Sequence, residues 1–240
     1  MTTATIHGNP GERSRLAGLW RLTWPIAGAL LLAGYFLRAA LPWPPLSPVP
    51  AGWALVLLGL LLLSVMTLRY RRAGAYFIGA RGEQAVARVL EQLPVDYAVF
   101  HGLRLPGAAA GPGADLDHVV LGPCGIVVIE TKCWSGRVTL EAGQLRYNGR
   151  LPQRSPIRQA ADGAEALAGA LRERLGGRFH VQALVCFAGN RFLPGEGAEA
   201  GVQIRNADRL LATLSIPADD APSLEARQGI ARVLQQWINA

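Results

Sequence analysis

Lysine and cysteine are both scarce in this chain of 240 residues. It has 23 arginines but a single lysine, Lys132. The three cysteines are odd in number and scattered, which argues against a disulfide framework or a zinc site and suits a reducing compartment. The sequence also lacks a G-x-x-x-x-G-K-[ST] loop and a nucleophile elbow, which excludes an encoded ATPase motor and an elbow-type hydrolase.

Charge is also sparse and unevenly distributed. Charged residues make up 17% of the chain, and the formal net charge is +7. Residues 1–72 hold seven arginines and one acid, so they carry +6, whereas residues 73–240 are close to neutral at +1. The overall basicity is therefore no evidence for nucleic-acid binding, and any such function has to be argued from local geometry.

Two long apolar runs precede the more polar part of the chain. Each is close to the length that crosses a bilayer, which predicts a transmembrane hairpin at 19–72 with spans at about 22–41 and 51–68. A proline-rich turn, 42–50, separates them, and residues 1–18 are predicted to be a disordered cytoplasmic tail. The positive-inside rule then places both termini and the following domain in the cytoplasm, at the inner membrane, because arginines flank the runs and are absent from the turn: Arg13, Arg15, Arg21, Arg69, Arg71 and Arg72.

The most informative stretch is a predicted β-hairpin. Two β-branched runs, Val119–Leu121 and Ile126–Ile129, flank a tight Gly-Pro-Cys-Gly turn. Antiparallel pairing across this turn would bring together Asp117, before the first strand, and Glu130, at the end of the second. Lys132 shares a face with Glu130 because side chains alternate along a strand. The sequence thus predicts two carboxylates and one amine in a small space.

Such a cluster suits metal-assisted chemistry on a phosphate. Neighbouring carboxylates cannot both stay ionised without a cation, and Mg²⁺ binds through one or two carboxylates, waters and substrate phosphates. An ammonium is a compact charge with a tunable pKa, which fits a catalytic role for Lys132. The alternative interpretation is an ordinary, partly exposed ion pair between Glu130 and Lys132 at the end of a strand.

Several short motifs surround this hairpin: Gly79-x-x-Gly82-Glu83, Asp115-Leu-Asp117-His118, Gly122-Pro-x-Gly125-Ile, Ile129-Glu-Thr-Lys-x-Trp134-Ser-Gly136, and Ser155-Pro156 with Gln159. Their D…E-x-K core resembles that of the PD-(D/E)xK nuclease superfamily. Taken together, over roughly residues 75–190, they resemble its nuclease-related (NERD) domain.

The resemblance implies a restriction-endonuclease-like α/β fold, a mixed sheet flanked by helices, at 73–205 with a helical extension at 206–240. It implies phosphodiester hydrolysis of nucleic acid, DNA rather than RNA, with Mg²⁺ or Mn²⁺. The metal ligands would be Asp117, Glu130 and Glu83, and Lys132 and Gln159 would complete the catalytic set. The alternative is an inactive module that binds nucleic acid or acts as a scaffold on the membrane. A homo-oligomer or a protein partner is left open.

Several residues have two interpretations in the sequence. Glu83 could instead stabilise the start of a helix at about residue 80, and Gln159 could be an ordinary exposed residue. Trp134 could stack on a base or pack on the sheet edge. His101 and His118 have no metal-ligand spacing and are predicted to be structural or substrate-adjacent. Four arginines could line a phosphate track or form a solvated rim: Arg146, Arg150, Arg154 and Arg158.

Overall fold

The structure, a computed structural model, describes residues 3–40, 48–106, 115–189 and 191–238. The chain forms two compact units. One is Arg13–Ile78, and the other combines Met1–Glu12 with Gly79–Ala240.

The smaller unit consists of long helices. Helix α1 is Glu12–Ala40, and α2 is Pro48–Leu90, of which the part up to Ile78 belongs here. Helix α2 begins at Pro48, so residues 48–50 of the predicted turn belong to the helix instead. Prolines such as Pro48 and Pro50 are tolerated in the first turn of a helix. Residues 42–47 of that turn lie outside the described residues.

Membrane spans are not supported by this unit. Over the residues that the structure describes, no helix combines the length and apolar character needed to cross a bilayer. The spans predicted at 22–41 and 51–68 therefore remain without support.

The N-terminal segment belongs to the larger unit. The prediction of a disordered tail at 1–18 is wrong for the described residues 3–18, because Thr5–His7 forms strand β1 and Glu12 begins α1. Strand β1 pairs in parallel with strand β2 (Ala98–Arg104), and the Ala4 amide donates to the carbonyl of Leu93 at 2.9 Å. The composition of the segment suggested disorder, but pairing with a sheet edge fixes it in place.

A mixed seven-stranded sheet forms the centre of the larger unit. Besides β1, the strands are β2 Ala98–Arg104, β3 Asp115–Gly122, β4 Gly125–Lys132, β5 Val138–Glu141, β6 Gln144–Tyr147, β7 Val181–Phe187, β8 Glu196–Glu199 and β9 Val202–Asn206. The strand order of the sheet is β1-β2-β3-β4-β7-β9-β8, and a separate hairpin pairs β5 with β6. The predicted β3–β4 hairpin is confirmed, with strands somewhat longer than the predicted apolar runs.

Helices cover both faces of this sheet. The C-terminal part of α2 and helix α4 (Ala207–Leu214) pack on one face through Leu90 and Leu210. Helices α3 (Pro156–Leu175) and α5 (Leu224–Ile238) pack on the other face through their own apolar side chains. The predicted mixed α/β sheet flanked by helices is confirmed.

Strand β2 departs from simple alternation. In a regular strand Val99, His101 and Leu103 would share one face, but Val99 and Leu103 lie in different core clusters. Gly102 between them has φ 61°, a left-handed conformation that glycine adopts without steric penalty. The strand therefore changes its inward face at the end that borders the carboxylates.

Candidate active site

The acidic cluster lies at the open end of the β3–β4 hairpin. His118 pairs with Ile129 in the register of these strands, so the next facing positions are Asp117 and Glu130. Strand β4 is long enough to include Lys132 because its apolar residues are buried between helices, and β7 supports it from the other side. The hairpin therefore positions both acids and the lysine on rigid strands.

Each carboxylate uses one oxygen in a close polar contact. The Thr131 amide donates to Asp117 Oδ2 at 2.8 Å, and Lys132 Nζ donates to Glu130 Oε1 at 2.5 Å. The side chains of Lys132 and Glu130 are 18% and 15% exposed, so this ion pair is not an ordinary solvated one. Among the described residues, no hydrogen bond reaches Asp117 Oδ1 or Glu130 Oε2. One oxygen of each acid is thus available to another ligand.

The pKa of Asp117 is shifted by desolvation and by the charged groups around it. Desolvation raises the pKa of Asp117 well above its ordinary value, and the charges of Glu130 and Glu83 raise it further. The Thr131 amide and the Lys132 ammonium act in the opposite direction without reversing the shift. Three acids and one amine therefore interact here, and the carboxylate of Asp117 is held against unfavourable electrostatics.

Glu83 interacts with this cluster from the C-terminal part of helix α2. Helix α2 begins at Pro48, so the interpretation of Glu83 as an acid in the first turn of a helix is wrong. Next to it, Gly82 packs so closely that a Cβ there would lie 2.6 Å from Cys133 Cβ. Gly82 is thus packed tightly against the residue that follows strand β4. Gly79 is not closely packed, because a Cβ there would meet nothing within 4 Å.

The positions of Gln159 and Asp115 do not by themselves assign a role to either residue. Gln159 is half-buried in the first turn of α3, and no hydrogen bond among the described residues joins its side chain to the carboxylates. Helix α3 does approach β3, since a Cβ on Gly163 would lie 2.9 Å from the Leu116 side chain. Asp115 is exposed at the rim, 4.0 Å from Arg104. A role for Gln159 therefore stays a prediction.

The arginines proposed for nucleic-acid contact differ in accessibility. Arg150 and Arg154 are exposed, and the Arg158 side chain is 84% exposed, with Asp162 at 3.9 Å. Arg146 is only 30% exposed, lies 3.5 Å from Glu141 and donates to the carbonyl of Gly149. Arg146 therefore stabilises its own hairpin, whereas the other three present charge to solvent.

Trp134 has a packing role. Its ring lies 4.8 Å from the ring of Tyr147 and 5.5 Å from that of Phe187, centroid to centroid. It connects the β5–β6 hairpin to β7 at the edge of a core cluster. These contacts favour the interpretation that Trp134 packs on the sheet edge over the interpretation that it stacks on a base.

A buried histidine pair lies directly behind the cluster and was not anticipated as a pair. His101 and His118 face each other across β2 and β3, with their Nδ1 atoms 2.7 Å apart. Both are at least 99% buried, and burial lowers the pKa of His101 to about 4 and that of His118 as well. The pair is therefore neutral at physiological pH, with one ring donating to the other. Its signal in the sequence was weak because only strand register makes the two residues neighbours.

The described residues contain no group of three or more His, Cys, Asp or Glu side chains arranged to hold a metal ion. Cavities of about 520 and 250 Å³ lie elsewhere, and the residues that line them do not include the acids of the cluster. The candidate site therefore lies at the ends of the central strands β3 and β4, apart from these two cavities.

One comparison with known proteins bears on this site. Residues 78–188 match the family described as NERD, nuclease-related domain, so this segment is similar to nuclease-related domains. That segment includes Glu83, Asp117, Glu130, Lys132 and Gln159. No curated protein and no solved structure matches the chain.

Proposed function

We propose that the nuclease-related domain hydrolyses phosphodiester bonds of nucleic acid at the open end of the β3–β4 hairpin. The observation that carries this proposal is the interaction of three acids with the single lysine of the chain. Asp117 and Glu130 come from paired strands, Glu83 from a helix, and Lys132 bonds directly to Glu130. An arrangement that keeps Asp117 in unfavourable surroundings is typical of a functional site.

Lys132 has the central role in this chemistry. Its ammonium donates to Glu130 and is only 18% exposed, so it is fixed in place before any substrate arrives. A phosphate bound at this site would add negative charge within reach of the ammonium. We expect Lys132 to orient the attacking water and to stabilise the charge that builds on the phosphoryl oxygens. Gln159 would hold that water or a phosphate oxygen from helix α3.

The donor set also fits a Mg²⁺ or Mn²⁺ ion. Asp117 and Glu130 each have an oxygen that no described residue occupies, and mutual repulsion with Glu83 would be relieved by a cation. Mg²⁺ needs only one or two carboxylates, because waters and substrate phosphates complete its shell. Asp117 and Glu130 would hold the ion, and Glu83 would do so directly or through water. When bound, such an ion polarises the phosphoryl oxygen and lowers the pKa of water.

Nucleic acid would be guided to the site by the exposed arginines that follow strand β6. Arg150, Arg154 and Arg158 are separated by four residues each and present charge to solvent. Phosphate contacts of this kind position a duplex or a single strand without reading its sequence. DNA as the preferred substrate, with an oligomer or a protein partner to supply specificity, stays a prediction.

The test is cleavage of labelled DNA and RNA by the full-length protein with and without Mn²⁺. Lys132→Ala should abolish metal-dependent cleavage in a protein that is still folded, although loss of the largely buried ion pair with Glu130 should lower its melting temperature. Asp115→Asn is the matched control, because this exposed acid lies two residues from Asp117 on the same strand. A purified Lys132→Ala protein that cuts at the wild-type rate would refute the assignment.

A non-catalytic binding module is the second candidate. It is favoured by the Lys132–Glu130 contact, which satisfies both charges without any substrate, and by the lack of a three-residue metal group among the described residues. Such a module would bind nucleic acid through the arginines and would gain no stability from Mn²⁺. Thermal unfolding of the wild type with and without Mn²⁺ therefore separates the two candidates.

We also propose that the unit Arg13–Ile78 attaches the protein to the inner membrane, with the nuclease-related domain in the cytoplasm. The sequence supports this through its two apolar runs and the arginines that flank them. Many large apolar side chains of this unit are exposed, Leu30, Leu31, Leu57 and Leu61 among them. Carbonate extraction of membranes from expressing cells is the test. Release into the soluble fraction would contradict attachment through an integral segment.

A further inference from the structure

We propose that Gly82 is a positioning residue, whose contact with Cys133 holds Glu83 beside the carboxylates of Asp117 and Glu130. This inference rests on the proposed function, because it assigns a further residue to the same site. It concerns how the third acid reaches the cluster and does not add another ligand.

The contact between Gly82 and the end of strand β4 leaves no room for a side chain. A Cβ on Gly82 would lie 2.6 Å from Cys133 Cβ, 3.5 Å from Cys133 Sγ and 3.6 Å from Ala188 Cβ. Non-bonded carbon atoms normally approach to about 3.5–4.0 Å. The helix would therefore have to move away by roughly 1 Å to accept a methyl group at this position.

The surface that Gly82 touches cannot easily yield. Cys133 directly follows Lys132, and the Ala188 amide donates to the Lys132 carbonyl at 3.0 Å. Both contact residues are thus tied to the end of the β4–β7 strand pair. The atom in closest approach is a Cβ, which cannot rotate away as the end of a long side chain can. Any displacement has to be taken up by the helix.

Glu83 immediately follows Gly82, so a displaced helix carries Glu83 with it. The charge of Glu83 acts on Asp117 in the native position, which requires the two carboxylates to be near each other. A shift of about 1 Å is enough to lower catalysis by about 10²-fold when it moves a group that must be precisely placed. Altered support of a metal ligand typically weakens metal affinity by about 10–100-fold.

The same helix offers a matched control. Gly79 lies one turn earlier in α2, and a Cβ there would meet nothing within 4 Å. Gly79→Ala and Gly82→Ala therefore make the same change in the same helix, with the same gain in helix propensity. They differ in whether the new methyl group meets the end of strand β4.

The experiment compares full-length wild type with Gly79→Ala, Gly82→Ala and two double variants. We expect Gly82→Ala to weaken Mn²⁺ binding at least 10-fold, measured by electron paramagnetic resonance, and to lower kcat more than it changes KM. Gly79→Ala should match the wild type. Because the contact joins Cβ to Cβ, adding Cys133→Gly to Gly82→Ala should restore both properties, whereas adding Cys133→Ala should not.

Thiol reactivity supplies a readout that does not depend on activity. Cys133 is half-exposed, whereas burial raises the pKa of Cys124 and of Cys186 to about 12. Reaction with a disulfide reagent at neutral pH therefore reports on Cys133. We expect it to accelerate several-fold in Gly82→Ala and to be unchanged in Gly79→Ala.

The outcomes separate this inference from the proposed function. A wild type that neither binds Mn²⁺ nor cuts nucleic acid would overturn the proposed function. The inference is then decided by crystal structures of the two alanine variants, where the separation of the Glu83 and Asp117 carboxylates should increase in Gly82→Ala alone. An unchanged separation would overturn it. If the wild type is active, a Gly82→Ala protein that keeps the wild-type Mn²⁺ affinity and kcat would also overturn the inference.

Discussion

Replacement of Asp117 by asparagine should stabilise the metal-free protein while it destroys the site. The carboxylate is desolvated and repelled by Glu130 and Glu83, which raises its pKa. Asparagine has nearly the same shape, and its Oδ1 can still accept the hydrogen bond that the Thr131 amide now donates at 2.8 Å. The substitution therefore removes an unfavourable charge and keeps the favourable contact.

The expected gain at pH 7 without metal is about 1–2 kcal/mol in the free energy of unfolding, within the range found when a strained functional site is relaxed. For a chain of this length, that corresponds to an increase of roughly 2–8 °C in melting temperature. Urea unfolding at several pH values measures it. Asp115→Asn should change stability by less than about 0.5 kcal/mol, because this acid is exposed.

The sign of the pH dependence follows from the raised pKa of Asp117. In the unfolded chain the carboxyl ionises at its ordinary value, but in the folded protein it holds its proton to a higher pH. The wild type therefore loses stability as pH rises from the ordinary carboxyl pKa through the folded one. The advantage of Asp117→Asn should be full above this window and vanish below it. An advantage that persists at pH 3 would refute the electrostatic explanation.

A bound metal ion should make the wild type more stable than the Asp117→Asn protein. A cation bound by the wild type at 100 times its dissociation constant adds about 2.7 kcal/mol to the free energy of unfolding. The Asp117→Asn protein should gain much less, since one of its anionic ligands is gone. Equal stabilisation of both proteins by Mn²⁺ would show that the ion binds elsewhere and would contradict the assigned site.

Two further predictions concern packing around the site. The Asn206 side chain accepts a hydrogen bond from the Phe192 amide and donates one to the Phe192 carbonyl. Asn206→Ala should therefore lower the free energy of unfolding by about 2–3 kcal/mol in urea titrations. A loss below about 0.5 kcal/mol would contradict this role. Trp134→Ala should lower it by about 3–5 kcal/mol through lost contacts with Tyr147 and Phe187, while affinity for single-stranded DNA, measured by fluorescence anisotropy under folding conditions, stays within twofold. Reduced affinity without reduced stability would instead support base stacking.

Local signals were sufficient to predict the hairpin that holds the site. The β-branched runs and the tight turn fix the register of β3 against β4, and that register places Asp117 opposite Glu130. Strand alternation likewise predicts that Lys132 shares a face with Glu130, and the two side chains do meet. These inferences needed only neighbouring residues in sequence, where geometry leaves few choices.

Long-range packing explains what the sequence did not reveal. The close approach of Gly82 to Cys133 joins residues about 50 positions apart, and nothing in either neighbourhood specifies the partner. Asn206 occupies the N-cap position of α4, where an asparagine side chain ordinarily accepts a hydrogen bond from the first turn of the helix. Its side chain is instead bonded to Phe192, because satisfying two buried backbone groups outweighs one exposed cap.

The strand Thr5–His7 leads to a prediction about where the folded domain begins. A fragment that starts at Gly79 contains all but the first residue of the segment matched by the nuclease-related family but lacks this strand. It would expose the edge of β2 and lose the stacking of His7 on Phe100, whose ring centroids lie 4.9 Å apart. Exposed strand edges favour aggregation.

Joining residues 3–12 to 79–240 through a short linker should restore that edge. The ends to be joined are close, since a Cβ on Gly11 would lie 2.8 Å from the Ala80 carbonyl oxygen. We expect the joined protein to be monomeric and more stable than the fragment from Gly79 by about 2–3 kcal/mol, roughly 1 kcal/mol for each backbone hydrogen bond regained. Unfolding in urea and size-exclusion chromatography measure both properties. Equal stability of the two proteins would mean that β1 does not contribute to the stability of the sheet. Gly8→Ala within the joined protein tests the same point, because its Cβ would lie 2.3 Å from the His101 carbonyl oxygen and would displace β1. If β1 stabilises the sheet, this substitution should lower the free energy of unfolding.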